Sequence, residues 1–127
     1  MRGRIRFFGL VVAVALVLTA CDWSMFGYGP DHLRSSPETS LSSSNVGALT
    51  TKWTLTTNGS VHSSPAVVNG VVYVGSFDFK VYAVNATSGR LLWTATTGGG
   101  VFSSPAVVQG VVYVGSEDNK VYAFKTP

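Results

Sequence analysis

The chain has 127 residues, 46% of them hydrophobic and 12% charged, a length that allows one small domain. Its formal charge of +3 at pH 7 comes from Arg2, Arg4 and Arg6, because basic and acidic side chains balance after Cys21; the basic pI therefore does not indicate a nucleic-acid partner. The single cysteine excludes an intrachain disulfide and a thiolate metal cluster.

Residues 1–20 have the layout of a secretory signal peptide. A basic start is followed by the apolar run Phe7–Leu18 and by small residues before Cys21, and the run is too short for a comfortable membrane span. The ending Leu18–Cys21 resembles a bacterial lipobox. That resemblance implies cleavage before Cys21 and a lipid on its sulfur. The alternative is an uncleaved N-terminal anchor with an incidental cysteine.

Residues 21–44 are polar and rich in serine, which predicts an irregular tether. His32 stands beside Asp31 within it, but two side chains fall short of the three or four ligands that a metal site needs. The tether is expected to be pinned by its aromatic residues, Trp23, Phe26 and Tyr28.

Residues 45–127 have an all-β pattern. Runs of Val, Tyr and Thr favour a pleated surface, and Asn69-Gly70, Gln109-Gly110 and Ser88-Gly89 are residue types that tolerate tight turns. The run Val71–Val74 is apolar at every position, which is typical of a strand covered on both faces. The predicted strands are Lys52–Thr57, Ser64–Val68, Val71–Ser76, Lys80–Val84, Leu91–Thr96, Ser104–Val108, Val111–Ser116 and Lys120–Phe124.

The second half of the chain is an internal duplication with an offset of 40 residues. Ser63–Ala83 and Ser103–Ala123 differ at three of 21 positions, and the wider alignment of Thr50–Thr87 with Arg90–Pro127 gives 24 identities in 38 positions. A repeat of this length indicates stacked units, as in propellers and solenoids. The register predicts one complete four-stranded unit, three strands of a second, and a first strand that belongs to a preceding unit.

The segment from Ala83 to Trp93 resembles the tryptophan-docking motif of PQQ-like (quinoprotein-type) β-propeller repeats. In that motif Ala83 is small enough for an indole to lie over it, Gly89 makes the turn, and Trp93, with Trp53 as its counterpart, packs between blades. The lead-in from Trp23 to Trp53 is also similar to this family. The resemblance implies an all-β fold of antiparallel four-stranded blades, with about one and three-quarter blades and one preceding strand in residues 45–127.

A closed propeller is larger than this chain. Rings need roughly four to eight blades, and four blades of this repeat would need about 160 residues. The sequence is therefore interpreted as an N-terminal fragment of a larger propeller, with a truncated gene or a unit that assembles with other copies as alternatives.

The repeated carboxylates, Asp78 and Asp118, each precede a repeated lysine, Lys80 or Lys120, by two residues. One interpretation is a cation or carboxylate site. The other, favoured because catalytic groups do not recur in every unit, is a turn in which the aspartate bonds its own backbone.

Ser63-Ser64-Pro65 and Ser103-Ser104-Pro105 begin the first strand of each unit, which in a propeller lines the central channel. In that position these serines could face a ligand in the channel. His62 directly precedes Ser63, and neighbours on a strand point to opposite faces, so a Ser–His couple is not expected. His62 is instead expected in a solvent-exposed loop, with a role at the channel mouth as the alternative.

Quinoprotein dehydrogenases of this fold carry Ca²⁺, a catalytic Asp and commonly adjacent cysteines. This sequence has neither the cysteine pair nor an Asp/Glu/Asn cluster suited to Ca²⁺. No catalytic, cofactor-binding or metal-binding residue is predicted, and nothing in the sequence demands catalysis. The predicted function is a non-catalytic binding or assembly scaffold.

Two alternatives remain open: the N-terminal part of a PQQ-dependent dehydrogenase, which would use PQQ and Ca²⁺, and a propeller lipoprotein of outer-membrane protein assembly. Asp22 beside the lipid cysteine resembles an inner-membrane retention signal, which weakens the latter. The expected partners are a membrane, through a lipid on Cys21, and a protein or further blades. The expected location is the bacterial envelope, at the outer face of the cytoplasmic membrane or in the periplasm.

Overall fold

The computed structural model describes residues 22–29, 32, 34–35 and 39–125. Within them, seven β-strands form two antiparallel sheets, and these are blade 1, in the order β1-β2-β3-β4, and blade 2, in the order β5-β6-β7. The predicted all-β blade architecture is confirmed. The strands are β1 Ala66–Val68, β2 Val71–Ser76, β3 Lys80–Asn85, β4 Leu91–Thr96, β5 Ala106–Val108, β6 Val111–Ser116 and β7 Lys120–Lys125, with a 3₁₀ turn at Val46–Ala48.

Two-residue turns join the first two strands of each blade. In blade 1 the turn residues Asn69 and Gly70 have φ angles of 50° and 73°, and in blade 2 Gln109 and Gly110 have 49° and 75°. Two successive positive φ angles define the type I′ turn, whose twist matches that of the flanking strands. The duplicated sequence thus gives the same hairpin twice, although an asparagine is replaced by a glutamine.

The hydrophobic core lies between the two blades. One face of blade 1 contributes Ala66, Tyr73, Val81 and Ala83, and the facing side of blade 2 contributes Val107, Val112 and Val114, with Val101 from the loop that precedes β5. Each sheet has an apolar face that it cannot bury by itself, so stacking removes both from water at once.

Gly75 on β2 sets how closely the blades approach. A Cβ atom at Gly75 would lie 2.8 Å from the carbonyl oxygen of Val101 and closer still to its side chain. Val101 is almost completely buried, so it fills the space that the missing side chain leaves. The equivalent Gly115 of blade 2 has no atom nearer than 3.7 Å, and its neighbour there is Ser103.

The prediction of a strand at Lys52–Thr57 is wrong. Its side chains do alternate, with Trp53, Leu55 and Thr57 half-buried and the residues between them exposed. It joins no sheet among the described residues, because a strand also needs a neighbour for its backbone hydrogen bonds. The sequence pattern reports only the side-chain environment.

The predicted start of the first strand in each blade is corrected. It lies at Ala66 or Ala106, not at Ser64 or Ser104, because Pro65 and Pro105 have no N–H to donate to a ladder. In the apolar run Val71–Val74, Tyr73 is buried and the valines are half-buried, whereas Tyr113 of blade 2 is exposed.

The described residues include no helix long and apolar enough to cross a membrane. The apolar run Phe7–Leu18 and the cysteine at position 21 lie outside the described residues, so the prediction of a signal peptide and lipid anchor stays a prediction.

The two equivalent glycines give a direct test of the packing. Gly75→Ala should lower the free energy of unfolding by about 1–3 kcal/mol, because the methyl group overpacks the contact with Val101. Gly115→Ala, chemically the same change, should stay within about 0.5 kcal/mol. Thermal and denaturant unfolding of the two variants measures the difference. Equal effects would contradict the assignment of Gly75 as the contact that sets the blade spacing.

Candidate functional site

The inner strands of the two blades, β1 and β5, are linked by the lead segment Asp22–Ser24. The Trp23 N–H donates to the Val67 carbonyl at 2.6 Å, and the Val67 N–H donates back to the Trp23 carbonyl at 2.6 Å. The Val107 N–H of β5 donates to the Ser24 carbonyl at 2.9 Å. The lead therefore supplies a short backbone bridge between the blades at their inner edge.

An inner pocket of about 340 Å³ lies beside this bridge, lined by Trp23, Phe26, Ser64, Pro65 and Val67. Its walls are apolar and aromatic, with the Ser64 hydroxyl as the polar side chain. A concave apolar site with few polar groups is the usual form of a small-molecule site. The pocket is suited to an uncharged, apolar or aromatic group.

The predicted channel serines do not all reach this pocket. The Ser63 hydroxyl accepts a hydrogen bond from the Gly75 N–H at 2.8 Å. The Ser103 hydroxyl accepts from the Gly115 N–H at 2.7 Å and donates to the Gly115 carbonyl at 3.0 Å. These two serines tie the entering chain to the middle strand of their blade, and only Ser64 lines the inner pocket.

Each repeated aspartate ties the preceding segment to its own blade. The Asp78 carboxylate accepts from the Asn58 N–H at 3.0 Å and from the Tyr82 hydroxyl. The Asp118 carboxylate accepts from the Gly98 N–H at 3.1 Å and from the Tyr122 hydroxyl at 2.5 Å.

Only Asp118 also bonds its own turn, through the backbone N–H of Lys120 at 3.3 Å. The lysine ammonium lies 3.3 Å from the same carboxylate. The main partners are thus a backbone N–H some 20 residues upstream and a tyrosine. A turn motif read from local sequence cannot show partners at that distance along the chain.

These contacts shift the titration of the groups involved. The hydrogen bond from Tyr122, with smaller contributions from Ser116 and Lys120 against some desolvation, lowers the pKa of Asp118 to about 2. Desolvation pushes the pKa of Asp78 upward, but the hydrogen bonds it accepts and the charge of Lys80 outweigh this and lower it. Desolvation and the bond to Asp78 raise the pKa of Tyr82 to about 12.

An aromatic rim cluster consists of His62, Phe77 and Phe102. The ring centroids of Phe77 and Phe102 are 4.4 Å apart, edge to face. The His62 ring lies 5.2 Å from Phe102 and 5.9 Å from Phe77. His62 is exposed, as expected for a loop residue, but the sequence did not reveal its aromatic neighbours. His32 lies in the lead, close to Gly27, and its sequence neighbour Asp31 is outside the described residues.

The two tryptophans of the docking motif, Trp53 and Trp93, lie in different surroundings. The Trp53 indole N–H donates to the Ala86 carbonyl at 3.0 Å, and a Cβ atom at Gly89 would lie 2.7 Å from the Trp53 ring. Trp53 therefore lies on the turn between β3 and β4. Trp93 is the cross-strand partner of Ala83 and its ring lies 6.0 Å from that of Tyr73.

The described residues do not fit PQQ and Ca²⁺. PQQ is a tricarboxylate, which calls for cationic side chains, and Ca²⁺ takes six to eight oxygen ligands. None of the described residues that line the inner pocket is cationic, and across residues 22–29, 32, 34–35 and 39–125 no three His, Cys, Asp or Glu side chains are grouped to hold a metal. The buried Asp78 Oδ1, which has no hydrogen-bond partner in the described part of the chain, does not line the pocket.

Comparison with known proteins agrees with the blade architecture. A family model described as "Outer membrane protein assembly factor BamB" matches residues 40–126. Over 73 residues the chain is 36% identical to the dehydrogenase subunit of a quinone alcohol dehydrogenase from Gluconobacter oxydans strain 621H, covering 56% of this chain and 10% of that protein. It is 44% identical over 43 residues to the uncharacterized protein YxaL of Bacillus subtilis strain 168, covering 33% of this chain and 10% of that one.

Solved structures give the same result. A quinohemoprotein alcohol dehydrogenase from Pseudomonas putida HK5 superposes with a TM-score of 0.73 at 32% identity, covering 83% of this chain and 17% of that one. BamB from Moraxella catarrhalis gives 0.53 at 13% identity, covering 57% and 23%, a likeness in fold alone. The chain spans about a tenth of the curated relatives it matches.

Trp53→Ala should lower the free energy of unfolding by about 2 kcal/mol, less than the roughly 3–5 kcal/mol for a fully buried tryptophan, because Trp53 is half-buried. Gly89→Ala should destabilise as well, since its methyl group would meet the same indole and its φ is +72°. Leu49→Ala, at an exposed position, is the control. Unchanged melting of the Trp53 variant would show that the indole does not hold the turn.

Stability should fall in acid between about pH 4 and pH 2. A carboxyl group whose pKa is lower in the folded state stabilises the fold above its unfolded pKa, and that stabilisation is lost as the pH drops through the folded value, here about 2 for Asp118. Melting temperature measured across this range checks it. Tyr122→Phe removes the main hydrogen bond and should flatten the curve, and an unaltered curve in that variant would contradict the cause given.

Proposed function

The chain belongs to the family of PQQ-like β-propeller repeats, and from this membership we propose that it is a lipid-anchored propeller module of the bacterial envelope. It binds or assembles other proteins and catalyses no reaction itself. It uses no cofactor. The anchor is a lipid on Cys21, which holds the blades at the outer face of the cytoplasmic membrane or in the periplasm.

The observation that carries the proposal is the use of the repeated polar side chains. The hydroxyls of Ser63 and Ser103 bond the backbone of their own blades. The carboxylates of Asp78 and Asp118 hold the backbone N–H of the preceding segment. Polar side chains that bond the backbone in both blades stabilise the fold. The surface that remains for contact with other molecules is the apolar sheet face.

That surface is on blade 2. Val108, Tyr113 and Val121 are large apolar side chains that are exposed there. Exposed apolar surface gathered on one sheet face is typical of a protein-binding site. A protein partner or a further blade therefore suits the surface better than a small polar substrate.

The anchor is supported by the sequence. The basic start, the apolar run Phe7–Leu18 and the small residues before Cys21 are the three parts of a lipoprotein signal. One acyl chain gives only marginal membrane binding, and stable anchoring takes two signals. The lipid on Cys21 would need to carry more than one chain.

Cys21→Ser should release the protein from the membrane fraction into the soluble fraction and abolish incorporation of labelled fatty acid. Ser24→Ala, three residues away, should leave both unchanged. Cell fractionation and lipid labelling measure the outcome. A Cys21→Ser protein that stays with the membrane would overturn the lipid anchor in favour of an uncleaved N-terminal one.

A second candidate is a segment of a quinoprotein dehydrogenase, with its catalytic residues in another part of the protein. The observation in its favour is the 36% identity over 73 residues to a quinone alcohol dehydrogenase subunit. Assaying the full-length product of the native gene with PQQ and Ca²⁺ distinguishes the two. Alcohol-dependent dye reduction would favour the enzyme, and its absence together with fluorescence that shows no PQQ binding would favour the scaffold.

A third candidate is a part in outer-membrane protein assembly, favoured by the description of the family model that matches residues 40–126. It is a special case of the scaffold and needs a cell with two membranes. Cross-linking in such a cell to outer-membrane assembly proteins would favour it. The aspartate after Cys21 counts against it where such a residue retains lipoproteins in the inner membrane.

A further inference from the structure

Blade 2 leaves open a face that blade 1 has covered. Val81 and Tyr73 of blade 1 are 0% and 5% exposed beneath blade 2. Their counterparts 40 residues on, Val121 and Tyr113, are 79% and 43% exposed. The two sheets have nearly the same sequence, so the difference is due to what lies against them.

The loop that covers blade 1 shows which contacts an occupant of blade 2 has to make. Val101 lies against Gly75, and the next residue, Phe102, lies edge to face on Phe77. In blade 2 the equivalent positions, Gly115 and Glu117, line a pocket of about 240 Å³. The pocket thus calls for an aliphatic side chain followed by one that complements a carboxylate.

The chain itself contains such a pair. Val61 and His62 precede blade 1 as Val101 and Phe102 precede blade 2. Val61 is 49% exposed, whereas Val101 is 1% exposed. An imidazole can complement the carboxylate of Glu117 by hydrogen bond or charge. Contact between two chains would therefore pair His62 with Glu117, at the position where the chain itself pairs Phe102 with Phe77.

The edge of blade 2 is open as well. In blade 1, β3 pairs with β4, but β7 pairs only with β6 among residues 39–125. Segment 52–57 has the sequence that aligns with the end of β4, including Trp53 and Trp93. It joins no sheet in the described part of the chain, and its side chains alternate between exposed and half-buried.

Segment 52–57 also lies against blade 1 as the end of β4 lies against blade 2. The Thr57 and Thr97 hydroxyls each donate to the carbonyl two residues on, both at 2.7 Å. The Asn58 N–H bonds Asp78 as the Gly98 N–H bonds Asp118. Stacking blade 1 of one copy on blade 2 of another in the same way would therefore place the segment along the free edge of β7.

The receiving face of blade 1 has room for this contact. Val72 and Val74 are half-buried, whereas their counterparts Val112 and Val114 are buried in the core between the blades. Contact with the Tyr113 and Val121 face of a neighbour would bury them equally.

We propose that the occupant of this face is a second copy of the chain, docked head to tail. Segment 52–57 of one copy pairs with β7 of its neighbour, Val61 enters the pocket at Gly115, and His62 faces Glu117. The contact is heterologous and can repeat, so two to four copies would close a ring of about four to eight blades. The second copy is a partner of the proposed scaffold, and its docking depends on the blades and not on the lipid anchor.

Disulfide cross-linking tests the register. The pairing of Val81 with Ala95 in blade 1 predicts that Val121 of one copy lies opposite Leu55 of another. Two tagged copies, one with Leu55→Cys and one with Val121→Cys, both in a Cys21→Ser background, should form a mixed dimer on oxidation. Thr54→Cys in place of Leu55→Cys points to the other face and should not. The intrachain pair Val81→Cys with Ala95→Cys checks that this register oxidises.

Two sets of variants test the pocket. Gly115→Ala should leave melting unchanged, because the free chain has room for the methyl group, yet reduce the mixed dimer about tenfold or more, equivalent to at least 1.4 kcal/mol. Glu117→Lys on the Val121→Cys copy should reduce it too, and His62→Glu on the other copy should restore it.

Three results would overturn the proposal. The first is a mixed dimer no more abundant than in the Thr54→Cys control while the intrachain pair oxidises. The others are a Gly115→Ala variant that cross-links normally and a Val121→Cys copy that links only to another protein. Because the lipid cysteine is absent throughout, these results are independent of the membrane-fractionation test of the anchor.

Discussion

The fold depends on the packing of one blade on the next, and at Gly75 that packing brings a side chain directly against the backbone. A small antiparallel sheet can pair its strands but cannot cover both of its own faces. Because residue 75 has no side chain, Val101 reaches the backbone of the middle strand and the apolar faces of the two blades meet. The hydrophobic core between the two blades includes Val101.

Apolar packing has little directional preference, so polar contacts at the periphery have to fix the position of each segment. The Asp78 and Asp118 carboxylates each hold a backbone N–H of the segment before them. The Trp53 indole holds the Ala86 carbonyl. These bonds set the register along the sheet, and they explain why these polar residues recur with the repeat.

Much of the fold could be predicted from the sequence, because a 40-residue duplication fixes where equivalent strands start and because the turn residues are visible locally. Strands β2, β4 and β6 have the predicted bounds. The error at Lys52–Thr57 has a physical cause: alternation of side chains reports burial, whereas a strand requires a partner for its backbone. The same limit applies to Asp118, whose tyrosine and distant N–H partners arise only from packing.

The candidate site was harder to predict, because its residues are not a motif. The inner pocket joins Trp23 and Phe26 of the lead to Ser64 and Val67 at the start of blade 1, more than 35 residues later in the sequence. The rim cluster joins three loops. Neither has a characteristic spacing, and only the folded chain brings the parts together.

The near-identity of the repeats raises a question of specificity. Blades with the same apolar faces can stack in any order, so discrimination between neighbours must come from the positions that differ. Of the three differences in the duplicated block, Asn69/Gln109 and Phe79/Asn119 lie at positive φ in turns, where they affect the local backbone. Only Phe77/Glu117 lies where one blade meets the loop of the next. A phenyl ring that accepts Phe102 and a carboxylate that would repel an apolar ring distinguish an internal contact from an external one. The substitution at this position therefore gives blade 1 and blade 2 different surfaces for a neighbouring loop, while the rest of the repeat keeps their folds the same.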